Sequence, residues 1–143
     1  MISREEILKL SAGREMDILV AEHVMGWQIE TDRGKLKRLN MYVSHAAERT
    51  WWRDPQGGWH CDPLRYSSDI VSAWKVVGSL NGKGQTLFLF QNLEENRASF
   101  DGPGATDSDY MTGADITVAI CKAALASVAR PLQVASLAGI FVK

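Results

Sequence analysis

The chain has 143 residues, 45% of them hydrophobic and 23% charged, with a formal net charge of −1. That length and balance predict one globular domain over 1–143 with a substantial core, and the near-zero charge offers no field to draw it onto long nucleic acid or an acidic membrane. No run approaches the ~18 apolar residues of a transmembrane helix, and the charged opening Met1-Ile2-Ser3-Arg4-Glu5-Glu6 does not read as a signal peptide, so the expected location is the cytoplasm.

Ser3-Arg4-Glu5-Glu6 has the form of a capping box and starts a short helix to about Leu10. Ser11-Ala12-Gly13 breaks it and introduces a second helix over about 12–25, with Met16, Leu19, Val20 and Val24 on one face. Gly26 stands where a left-handed residue closes a helix, and Trp27 is expected to fold back on that end. Residues 31–38 are polar and basic and read as a solvated turn, and Leu39 to Val43 as a strand. Arg49 to Arg53 and Trp59 to Cys61 flank Asp54-Pro55-Gln56-Gly57-Gly58, whose turn chemistry predicts a hairpin. Trp51 and Trp52 are adjacent on its first strand, so only one can face inward.

Tyr66-Ser67-Ser68-Asp69 leads into a helix over 68–81, with Ser67 or Ser68 placed to cap it and Asp69 in the first turn. Ile70, Ala73, Trp74, Val77 and Leu80 recur at helical spacing and are expected inward. Gln85 to Gln91, with Leu87, Phe88, Leu89 and Phe90, is apolar on both faces and reads as a central strand, with Arg97 to Asp101 as its partner. Residues 101–113 read as a mobile loop. A last helix over about 115–129 turns Ile116, Ala119, Ile120, Ala123 and Ala124 inward, and an apolar tail, 131–143, follows. The sum predicts an α+β fold: a three-layer α/β/α sandwich with a mainly antiparallel sheet between helices.

Cys61 and Cys121 are too few and too separated for a structural zinc site, and a reducing cytoplasm disfavours their pairing. No P-loop, nucleophile elbow or dinucleotide fingerprint occurs. Catalytic residues, metal ligands and cofactors are therefore not predicted.

Three ordered stretches resemble the phage ABA sandwich domain family, small proteins of tailed phages and prophages. They are Arg4-Glu5-Glu6-Ile7-Leu8 through Val24-Met25-Gly26-Trp27, then Tyr66 to Val77, then Ala119-Ile120-Cys121-Lys122-Ala123-Ala124-Leu125. The family's usual pattern has Thr where Ser68 stands, Ala where Ser72 stands and Arg where Lys122 stands. The resemblance implies a sheet between helical layers and a phage origin, hence the host cytoplasm. It carries no established reaction.

By analogy with small phage proteins that trap nucleotide signals of host immunity, the expected function is non-catalytic sequestration of a phosphate-containing, nucleotide-like ligand by a homo-oligomer. The residues expected to bind it are Trp27, Trp52, Arg65, Tyr66, Ser67, Ser68 and Asp69: hydroxyls at a helix start and Arg65 for phosphate, aromatic rings for the base. The rival expectations are a phage accessory protein that grips another protein, and a hydrolase of a nucleotide signal.

Overall fold

A computed structural model of the protein describes residues 3–30, 51–61, 63–102 and 110–129. The expected turn at 31–38, the strand at 39–43 and the tail at 131–143 lie outside the described residues, as do 103–109 of the expected mobile loop.

Helix α1 is Arg4–Lys9, and the Ser3 hydroxyl accepts the Glu6 N–H at 3.2 Å, as the capping sequence predicts. Helix α2 is Arg14–His23 and buries Met16, Asp17, Val20 and Ala21. Gly26 takes φ +74° and turns the chain into strand β1, Gln28–Glu30. Strand β1 pairs antiparallel with β2, Trp51–Arg53, which pairs with β3, Trp59–His60. Trp52 is the inward member of the tryptophan pair.

Helix α3 is Ile70–Asn81, and two expectations about it are corrected. Its N-cap is Asp69, not Ser67 or Ser68: the Asp69 carboxylate accepts the Val71 N–H at 3.4 Å and the Ser72 hydroxyl at 2.8 Å. Its buried face is Ser72, Ala73, Val76, Val77 and Leu80, while Ile70 and Trp74 are 47% and 54% exposed. The apolar residues extend around so much of this helix that two adjacent faces satisfy the same spacing. Ser72 can turn inward because its hydroxyl donates a hydrogen bond to Asp69.

Strands β4, Thr86–Gln91, β5, Asn96–Asp101, and β6, Met111–Gly113, form a second antiparallel sheet in the order β4-β5-β6. The expected central strand, β4, is thus at an edge among the described residues, and β5 is central, with Ala98, Ser99 and Phe100 buried. The last residues of the expected loop pair with β5 as β6 and bury Met111.

Helix α4, Ile116–Ala129, lies against β5 and β6 and also contacts α1, α2 and α3. Every residue from Thr117 to Ser127 is buried. Ala119, Ala123, Ala124 and Ala126 keep it thin enough for close approach; a Cβ on Gly113 would sit 2.5 Å from the Ala119 nitrogen. Lys122 is buried with it, and its ammonium donates to the Leu8 carbonyl at 2.8 Å, which fastens the end of α1 to α4. The chain is an α+β sandwich, and its described strands divide between two three-stranded antiparallel sheets. No helix of the described residues is long and apolar enough to cross a membrane.

Candidate functional site

The Arg65–Asp69 turn is held by backbone bonds from the Ser68 and Asp69 N–H groups to the Arg65 carbonyl, at 3.2 and 2.8 Å. Ser67 points into the protein. Its N–H and hydroxyl donate to Asp17 Oδ1, its oxygen accepts the Gly13 N–H at 2.9 Å, and its carbonyl accepts the Thr117 hydroxyl at 2.9 Å. Ser67 therefore joins the α1–α2 loop, α2 and α4, and its hydroxyl is fully engaged within the protein.

Arg65 and Ser68 lie on the exposed side of the same turn. They line a cleft of about 320 Å³ with Gly13, Arg14, Asp17 and Pro63. Among these described lining residues two arginines stand against one aspartate, a formal balance of +1. Gly13 is the N-cap of α2 and supplies no capping side chain, so the positive end of that helix dipole adds to the field. The cleft is suited to an anion with several acceptor oxygens, which guanidiniums bind in pairs of hydrogen bonds. Asp69, also expected here, spends its carboxylate on capping α3, and its acidity is raised first by the Ser72 hydrogen bond.

The three expected aromatic residues are brought together but buried. Trp27 is 7%, Trp52 1% and Tyr66 0% exposed. Trp27 stacks on His60 with centroids 4.2 Å apart and meets Tyr66 edge-on at 6.4 Å. Buried in the core, they leave no open stacking face. Tyr66 Oη and Trp52 Nε1 are buried without a hydrogen-bond partner among the described residues. Burial, then the negative charges of Asp17 and Asp54, push the Tyr66 phenol well above its usual range, so it stays neutral.

One polar pair escaped the sequence reading. His60 Nε2 lies 2.7 Å from Asp54 Oδ2, while Asp54 Oδ1 accepts the Gln56 and Gly58 N–H groups at 3.0 and 2.8 Å. The His60 bond, first, and the Gly58 bond hold the Asp54 carboxyl below the ordinary 3.8. The signal was available: Asp54 opens the predicted turn and His60 lies on the returning strand, opposite Trp52, so closing the hairpin brings the two into diagonal reach. A larger cleft of about 480 Å³ lies beside this pair, lined by Gln28, Arg53, Asp54 and Gln56 among others. Arg53 and Asp54 cancel in charge, so the smaller, net-positive cleft is the better anion site. Among the described residues no cluster of His, Cys, Asp and Glu is arranged to hold a metal.

The model of the phage ABA sandwich domain matches residues 18–125. A 2.0 Å crystal structure of a phage protein from Bacillus cereus ATCC 14579 is similar in fold, with a TM-score of 0.57 and 22% identity. The match covers 84% of this chain and 95% of that one. No curated protein matches the chain.

Proposed function

This chain belongs to the phage ABA sandwich domain family, and on that premise we propose that it is a non-catalytic phage protein that binds and sequesters a small nucleotide-type signal in the host cytoplasm. The observation that supports this reading is the net-positive cleft at Arg14, Arg65 and Ser68. Its volume lies at the lower end of the range for small-molecule sites. Arg65 is exposed, and a guanidinium there can pair with phosphate or stack on a base. The ligand contacts are therefore assigned to Arg65 and Ser68 with Arg14, and the buried Trp27, Trp52 and Tyr66 are assigned to shaping the turn that presents them.

The test is mass spectrometry of small molecules released by heat from protein purified out of cells with an active nucleotide-signalling defence. An intact nucleotide in stoichiometric yield is expected. A converted product would indicate a hydrolase. An empty protein that also leaves such signals unprotected would remove the proposal. The exposed outer face of α3, with Ile70, Val71 and Trp74, favours the second reading, an accessory protein that grips another protein. That reading predicts a stable partner on pull-down and no small-molecule ligand.

A further inference from the structure

Strand β4 has six residues, none charged and none proline, and among the described residues it pairs with β5 alone. Phe88, Leu89 and Phe90 are each 42–48% exposed, on opposite faces in alternation. Proteins ordinarily blunt such an edge with Lys, Pro, a bulge or extreme shortness, and β4 has none of these. The direction of its backbone groups follows from the hairpin. The Asn92 N–H donates to the Glu95 carbonyl at 3.0 Å, closing the turn, and the register runs Gln91↔Asn96 to Thr86↔Asp101. Antiparallel alternation then directs the N–H and C=O groups of Thr86, Phe88 and Phe90 to β5. Those of Leu87, Leu89 and Gln91 address the open side.

We propose that this open side is a self-association edge, on which β4 of a second copy pairs antiparallel about a two-fold axis at Leu89. A two-fold axis normal to the sheet pairs a residue with itself or with one an even number of positions away. Centring it on Leu89 is the register that uses every outward group: Leu89 opposite Leu89, and Leu87 opposite Gln91 twice. Phe88 and Phe90 of the two copies then face each other on one side of the sheet, and aromatic cross-strand pairs stabilise antiparallel sheets. Absence of charge on β4 removes like-charge repulsion from a strand meeting itself. A second copy fits where a charged partner would find no complement. This inference does not depend on the ligand.

Light scattering of the purified full chain tests it, with a dimer expected and a monomer at every concentration overturning it. Leu89→Pro removes only an outward N–H and should yield a monomer of unchanged circular dichroism. If that variant fails to fold, Leu89→Lys, which sets two ammoniums together at the axis, takes its place. A dimer that survives the folded variant overturns the proposal. Register is read by mild oxidation in a Cys61→Ser background: Leu89→Cys should cross-link, since hydrogen-bonded pairs have Cα atoms ~5.5 Å apart. Phe88→Cys and Phe90→Cys should cross-link several-fold less. A monomer with slow amide exchange at Leu87, Leu89 and Gln91 would give the edge to the chain's own residues and overturn self-pairing.

Discussion

The backbone N–H and the hydroxyl of Ser67 end on the same oxygen of Asp17, at 2.8 and 2.7 Å. Asp17 lies on the buried face of α2, so these bonds are what make burial of its carboxyl tolerable. Ser67→Ala removes the hydroxyl donor to Asp17 and the acceptor of the Gly13 N–H together. A loss of about 1–3 kcal/mol is expected in urea unfolding. Unchanged stability would contradict the network.

Trp74→Ala is expected to lower stability by only about 1 kcal/mol, as a largely exposed side chain does. Leu80→Ala, on the buried face of the same helix, should lower it by about 2–5 kcal/mol. Parallel denaturation of the two variants reads the orientation of α3 directly.

Tyr66→Phe removes a buried hydroxyl that has no partner among the described residues. Its desolvation is then no longer a penalty, so stability should hold or rise, by up to about 1 kcal/mol. A fall in the urea midpoint would show that Tyr66 Oη is hydrogen-bonded in solution.

Asp54 supplies an acid-sensitive contribution. Its folded pKa lies below 3.8, so the stabilisation is complete above that value and is lost as the pH falls through the folded value. His60→Ala removes the largest cause of the shift. The Asp54 midpoint, followed by NMR, should rise back toward 3.8 in that variant.

Arg65→Ala should leave folding intact, because it is the Arg65 backbone carbonyl, not its side chain, that holds the turn. Affinity for the nucleotide recovered from cells should fall about tenfold or more, the usual scale for a charge-assisted contact. Full affinity by calorimetry would exclude Arg65 from the site.

Local signals carried much of the fold. Ser3 before Glu6, the left-handed Gly26, the turn after Arg53 and the apolar face of α2 all act within a few residues, and each is found where its chemistry places it. What escaped depends on packing between distant segments. Strand β4 is apolar on both sides, and a strand hidden between layers looks the same in sequence as one that ends a sheet. The α3 stripe is too wide to choose one face. Ser67 resembles a helix cap until Asp17, fifty positions away in sequence, accepts its hydroxyl's hydrogen bond. A hint existed in α2, where Asp17 interrupts Met16, Val20 and Ala21 on the inward side. Arg65 and Ser68 remained together because they belong to one turn, whereas Arg14 joined them only through the docking of α2.

The chain's two thiols differ sharply. Cys121 is fully buried in α4, and burial raises it far out of the reactive range, while Cys61 is partly exposed beside His60. Under pulsed alkylation one sulfur would report the native surface at once. The other would be modified only during excursions that pull the central helix away from its neighbours. The unaltered protein thus contains its own clock for the opening of its interior, and ligand or self-pairing can be timed against it without introducing a probe.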